Sequence, residues 1–150
     1  MKSIIQEQAK QAVADSRNVA QAVRRAASNK ELKSAARRVE RILLKHGASP
    51  NVFFTASGVT IYCYPKVDSF AVNPELLAQL EAVSEALGGA EWKSRDYPSI
   101  DQREFKIAQQ YGAHRISVEV NATLIEGSEK CRRVVKSVKL TENVEYAFEC

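Results

Sequence analysis

The stretch ISVEVNATL (residues 116–124) alternates apolar and polar side chains at every position. Successive side chains of a β-strand point to opposite faces, so the apolar residues share one face and the polar residues share the other. One dry face and one wet face are typical of an antiparallel sheet that packs on a single side. The stretch therefore predicts a half-buried strand in a mostly antiparallel sheet.

Other segments with β-type composition lie on both sides of this strand along the chain. Cys131–Leu140 and Val144–Phe148 are predicted to form a closing hairpin. Glu91–Tyr97 precedes the strand as a further β segment, and Arg103–Tyr111 is compatible with either a helix or a strand. Alternation together with β-branched and aromatic residues is the basis of these predictions.

A β-hairpin and a helix are predicted upstream of the sheet segments. Asn51–Thr55 and Val59–Tyr64 form the hairpin around residues 56–58. A helix then begins with Asn73 as its cap and Pro74 at its first position, and it ends before residues 88–89, which are both glycine. Its leucines recur at helical spacing, so we expect this helix to cover one face of the sheet.

Two helices open the chain. Ser3 with Gln6, and Ser28 with Glu31, have the spacing of a capping box, which marks the start of a helix. The second helix closes at Gly47, which suits a left-handed cap. The break near Ser28 is a hairpin turn or a kink in one long helix, and the hairpin is the preferred interpretation.

The resulting fold class is α+β. A basic helical segment at residues 1–47 is followed by a sheet domain at residues 48–150, which is mostly antiparallel with one helix packed on a face.

Positive charge is concentrated at the start of the chain. The formal net charge is +4, yet residues 1–46 hold eleven Lys and Arg against four acids, an excess of seven. The remaining residues hold eleven bases and 14 acids. Such an asymmetry favours an anionic partner for the basic part.

The second helix carries its bases opposite its apolar side. A basic helical face can lie along a phosphate backbone and release counterions, so the sequence predicts a non-enzymatic nucleic-acid-binding accessory protein; DNA or RNA, single- or double-stranded, stays open. The alternative is a solvated outer face. The residues predicted to contact phosphate are Arg24, Arg25, Lys33, Arg37, Arg38, Arg41 and Lys45.

Two tyrosines extend this candidate site. Tyr62 and Tyr64 share one face of their strand, and their rings could stack on unpaired bases if that face is exposed. The alternative is that both tyrosines pack under the third helix. Trp92 is assigned to the core, and Lys93, Arg95 and Tyr97 are placed on the opposite face of the same strand.

The first helix carries a stripe of small apolar residues at alternating spacings of four and three. The stripe packs on the second helix, if the first helix folds back, or on another copy of the chain. Pairing with another copy is preferred, which predicts a homo-oligomer, most simply a homodimer. A protein-interaction module, such as an inhibitor or adaptor, is therefore the alternative function. The stripe consists of Ile5, Ala9, Ala12, Ser16, Val19, Val23 and Ala26.

The sequence contains no recognisable catalytic motif. His46 and His114 are the only histidines, and the three cysteines, Cys63, Cys131 and Cys150, are too widely spaced for a zinc motif. We assign no catalytic residue, metal ligand or cofactor. Binding of a small anionic ligand or a nucleotide is a lesser alternative.

The chain begins without a long apolar run, because polar residues follow Ile4 and Ile5 at once. Neither a signal peptide nor a spanning helix fits this pattern. We expect a cytoplasmic protein with no membrane partner.

The closing segments CRRVV (residues 131–135) and VEYAFEC (residues 144–150) resemble the terminal hairpins of small uncharacterised accessory proteins of tailed bacteriophages. The resemblance covers about twenty residues and implies no activity and no site residue. It implies a protein made during infection, in a class that includes nucleic-acid binders and inhibitors of host systems.

Overall fold

The computed structural model describes residues 3–70, 73–125, 132–138 and 144–149. It confirms the α+β class, with two N-terminal helices followed by a mostly antiparallel sheet. The helices are α1 (Ile4–Ser28), α2 (Lys30–Lys45) and α3 (Pro74–Ala86). The strands are β1 (Asn51–Thr55), β2 (Gly58–Cys63), β3 (Lys66–Val67), β4 (Lys93–Tyr97), β5 (Gln102–Tyr111), β6 (His114–Leu124), β7 (Arg132–Val138) and β8 (Val144–Glu149).

The main sheet has the order β1-β2-β6-β5-β4, and the short β3 continues the β2 side of β6. Strand β6 contains the alternating stretch and is central. Its residues Ile116, Val118 and Val120 are fully buried, as the alternation predicts. Arg103–Tyr111, which was ambiguous, is strand β5, and it pairs with β6 along its whole length.

Strands β2 and β6 run parallel, with Ile61 opposite Val118. The sequence did not predict this pairing, because it joins segments separated by α3 and three further strands. Strands β7 and β8 form a separate antiparallel pair, and β8 lies close to β4. The parts of the predicted closing hairpin at Cys131, at residues 139–143 and at Cys150 lie outside the described residues.

Two helices, not one, cover the sheet. Leu43 of α2 and Leu80 of α3 belong to the same buried cluster as Ile61 and Val118 of the sheet. The helix predicted to cover the sheet, α3, does so, and α2 packs on the same core beside it. The boundary expected at residue 47 does not separate two cores, since α2 supplies five buried residues to the common one.

Asn29 forms the corner between α1 and α2. Its Oδ1 accepts a hydrogen bond from the backbone N–H of Leu32 at 3.1 Å and so caps α2, while its Nδ2 donates to the carbonyl oxygen of Tyr111 at 3.0 Å. The cap predicted at Ser28 is wrong by one residue, because the Ser28 hydroxyl donates back to the Arg24 carbonyl instead. The cap predicted at Ser3 is confirmed.

Helix α1 does not fold back along α2. Every residue from position 3 to position 21 is exposed, and Ala26 in the last turn is the one fully buried residue of the helix, near β1 and β2. The hairpin interpretation is therefore wrong. Most of α1 extends away from the core, and its stripe is exposed from Ile5 to Val19, whereas Val23 is half-buried and Ala26 is buried.

Candidate nucleic-acid interface

Helix α2 has two opposite faces. Its buried residues, among them Leu32, Val39 and Leu43, pack on the sheet. At about 100° per residue, its six bases fall within an arc of roughly 140° on the other side. All six are exposed, and we call them the basic face of α2: Lys30, Lys33, Arg37, Arg38, Arg41 and Lys45.

Packing sets the direction of this face. Because Leu32, Val39 and Leu43 are completely buried, α2 cannot rotate about its axis without exposing them, so the bases stay turned away from the sheet. From Lys30 to Lys45 the face extends about 22 Å at 1.5 Å per residue. Lys30 belongs to it although the set predicted from the sequence omitted it.

No ion pair neutralises the basic face within the part of the chain that the structure describes. The pairs found there join His46 to Glu75, Arg103 to Asp96, and Lys106 to Glu104 and Glu119. None of these pairs involves a residue of α1 or α2, since His46 follows the last residue of α2. The positive charge of the face is therefore available to an external anion.

Lys106 of the sheet shows the opposite situation. Its Nζ lies 3.3 Å from Oε1 of Glu104 and 3.6 Å from Oε1 of Glu119. The hydrogen bond to Glu104, followed by the charge of Glu119, raises the pKa of the Lys106 amino group. Positive charge on the sheet is thus partly balanced locally, unlike that of α2.

Arg24 and Arg25 lie in the last turns of α1, close to the corner at Asn29, and both are exposed. They add two charges near the end of the basic face that begins at Lys30. The predicted phosphate-contacting residues therefore all lie on the surface of the two helices.

Tyr62 is separated from these bases. Val59, Ile61 and Cys63 of β2 are buried beneath the helices, so alternation puts Tyr62 on the other side of the sheet. There its ring meets that of Phe53 edge-on, with centroids 6.1 Å apart. The interpretation that it packs under α3 is wrong, and Tyr62 does not share a surface with the basic face of α2.

Tyr64 follows the end of β2 and is 60% exposed. It lines a concavity together with His46, the residue after Lys45. Of the two tyrosines, Tyr64 alone is therefore near the α2 side.

The uncovered face of the sheet is mixed in charge. Arg95 places its guanidinium carbon 5.1 Å from the centre of the Tyr97 ring, and a shallow concavity of about 580 Å³ is lined by both lysines and glutamates. Trp92 packs against the core, and its Nε1 donates to the carbonyl oxygen of Leu80 at 2.7 Å, which confirms its assignment.

Both histidines join structural elements. His46 Nδ1 lies 2.7 Å from Oε1 of Glu75, and His114 Nδ1 lies 3.0 Å from Nδ2 of Asn29. Cys63 is buried, and burial raises the pKa of its thiol to about 11, so it is protonated at neutral pH. Cys131 and Cys150 lie outside the described residues.

The described ranges contain neither a membrane-spanning helix nor a metal-binding cluster. No helix there is long and apolar enough to cross a bilayer. No three His, Cys, Asp or Glu side chains come together there in a way that could hold a metal ion.

Sequence reasoning missed the groups that tertiary structure brings next to His46. Lys66 comes from β3, a strand of two residues, and Gln79 comes from the buried side of α3. Neither has a local motif around it. The period of α3 could have indicated that Gln79 faces inward, since it lies three residues after Leu76.

Comparison of the chain with protein-family models, with curated proteins and with solved structures found no match in any of the three.

Proposed function

We propose that this protein binds nucleic acid non-enzymatically, with the basic face of α2 lying along the phosphate backbone and with Arg24 and Arg25 extending the contact. The observation that supports this is the exposure of six bases on one face of a helix whose other face is buried, with none of the six ion-paired among the described residues.

Electrostatics favours a polyanion over a small acidic ligand. The face is about 22 Å long. A duplex carries about one negative charge per 1.7 Å of its axis, so each Lys and Arg of the face can contact a phosphate along that length. Arginine and lysine contacts to phosphate carry no sequence information by themselves. We therefore expect binding with little sequence preference.

Salt should weaken the complex steeply. With five to seven phosphates neutralised, a plot of log affinity against log salt concentration should have a slope between about −4 and −6, which corresponds to roughly a 1,000-fold loss from 50 to 200 mM salt. Fluorescence anisotropy with labelled single-stranded and double-stranded DNA and RNA measures this slope. Absence of binding to all four at low salt would contradict the proposal.

A second copy of the chain is the proposed partner of α1. Its stripe is exposed from Ile5, at 78%, to Val19, at 57%, and none of the six charged residues of the helix lies in it. In proteins most helical stability comes from packing of an apolar face, and residues 4–21 of α1 have no such packing within the described part of this chain. Small residues at spacings of four and three allow two such helices to approach closely. Each dimer would carry two basic faces, so this partner is compatible with nucleic-acid binding.

The substitution Val19→Glu tests this pairing. We expect the wild type to sediment as a dimer and the variant as a monomer, because two buried carboxylates would face each other in the paired helices. Asn18→Glu adds the same charge outside the stripe and should remain dimeric. A monomeric wild type, or dissociation of both variants alike, would exclude the α1 stripe as the dimer contact.

A further inference from the structure

A concavity of about 450 Å³ lies where the end of α2 meets β3 and the start of α3. His46, Tyr64, Lys66 and Glu75 are among the residues at its rim. Its volume falls in the range of small-molecule sites. It is adjacent to Lys45, the last residue of the basic face.

The deepest lining residues are two apolar side chains and one amide. Val67 and Gln79 are 3% exposed and Leu76 is 2% exposed. Nε2 of Gln79 is buried and has no hydrogen-bond partner among the described residues. A buried N–H without an acceptor is unfavourable, and natural proteins keep few of them. Because Gln79 lines the concavity, an acceptor brought by a ligand that reaches this amide would remove that cost.

The rim offers an aromatic ring and a cation. Tyr64 is 60% exposed, so its ring is accessible for stacking, and Lys66 is exposed beside it. Glu75, the one carboxylate among the described residues that line the concavity, lies 2.7 Å from Nδ1 of His46. This contact holds the carboxylate against the imidazole, and Lys66 is the one Lys or Arg among the described residues that line the concavity.

We propose that this concavity binds an adenine nucleotide, with the base stacked on Tyr64, the Gln79 amide bonded to the base edge and Lys66 on the phosphate. A carboxamide presents a donor next to an acceptor, which matches N7 and the N6 amino group of adenine. Guanine presents two acceptors at the same edge and fits the amide less well. This site lies outside the basic face of α2, and its occupancy does not depend on nucleic-acid binding there.

Isothermal titration calorimetry with AMP, GMP, adenosine and ribose 5-phosphate tests the assignment. We expect AMP to bind at least about fivefold more tightly than GMP, the difference that one amide–base pairing provides. Adenosine, which lacks the phosphate, and ribose 5-phosphate, which lacks the base, should both bind more weakly than AMP. No heat with AMP, or equal affinities for AMP and ribose 5-phosphate, would overturn the proposal.

Two variants assign the contacts. Gln79→Leu keeps the size of the side chain and removes the unpartnered N–H, so its melting temperature should not fall, while AMP should no longer raise that temperature as it does in the wild type. Lys66→Gln should weaken AMP binding, whereas Lys33→Gln on the basic face should leave it unchanged. Wild-type AMP affinity in both Gln79→Leu and Lys66→Gln would refute the site.

The bound nucleotide can be a free mononucleotide or the 5′-terminal nucleotide of a nucleic-acid strand. Competition between AMP and a single-stranded oligonucleotide that begins with a 5′-phosphorylated adenosine distinguishes the two sources. Displacement by AMP indicates that the strand end occupies the concavity, and AMP binding without displacement indicates the free nucleotide. If the protein binds AMP but does not bind the oligonucleotide, the proposed function of α2 is rejected and the nucleotide site is not.

Discussion

Reversing Arg37, Arg38 and Arg41 to glutamate is expected to lower nucleic-acid affinity by at least about 100-fold at low salt, because three phosphate contacts become three repulsions. The slope of log affinity against log salt should become shallower by about three units, one for each contact removed. All three side chains are exposed on α2. Glutamate is as good a helix former as arginine, so the fold should remain.

The control is a variant with the same charge change elsewhere. Each reversal changes the charge by two, so the formal net charge of the triple variant goes from +4 to −2. The control, Lys93→Glu/Arg95→Glu/Arg115→Glu, makes the same change in net charge at exposed residues on the other side of the sheet. If a local face binds the polyanion, the control should lose far less affinity than the α2 variant. Equal losses in the two variants would show that net charge alone attracts the nucleic acid.

Replacing Gly58 by alanine is expected to cost more than about 4 kcal/mol of folding free energy, a loss found only where a backbone or core position is severely disrupted. Gly58 has φ of +147°, and a Cβ there would lie 1.9 Å from the carbonyl oxygen of Arg115. The neighbour is backbone and cannot turn aside, since the Arg115 N–H donates to the Ser57 carbonyl at 2.9 Å. The clash falls where β2 begins its parallel pairing with β6.

Gly89→Ala is the control that separates the cost of the steric clash from the cost of the positive φ angle. Gly89 also has a positive φ, of +81°, yet nothing lies within 4 Å of a Cβ placed on it. Its substitution should cost only about 1–2 kcal/mol, the penalty for a left-handed alanine. Urea denaturation followed by circular dichroism measures both variants. A similar loss for Gly58→Ala and Gly89→Ala would mean that the close approach of β2 to β6 does not constrain the fold.

Local signals predicted the elements of this chain well. The alternation of residues 116–124 identified β6, and Asn73 with Pro74 marked the start of α3, because both signals depend on neighbours only a few residues away. The cap at the α1–α2 corner was placed at Ser28 instead of Asn29. Both residues can cap a helix, and the choice depends on Tyr111, far along the chain, to which the Asn29 side chain is hydrogen-bonded.

The candidate site was predicted in part. The bases of α2 follow from helical periodicity, since its apolar residues had to face a core somewhere. The position of Tyr62, on the side of the sheet away from α2, was not predictable, because no local pattern shows which face of a sheet the helices will cover. Gln79 was missed for a similar reason: its significance comes from a buried amide that has no partner, which only packing reveals.

The amino-acid sequence by itself determined the helices, most of the strands and the excess of positive charge on α2, since these depend on short-range sterics, side-chain periodicity and composition. Tertiary structure decided the parallel pairing of β2 with β6, the packing of α2 onto the sheet and the exposure of α1. It also decided that Tyr64, Lys66 and Gln79 meet around one concavity. Such contacts join residues far apart in the chain, and burial of apolar surface in the common core selects among the arrangements that local preferences leave open.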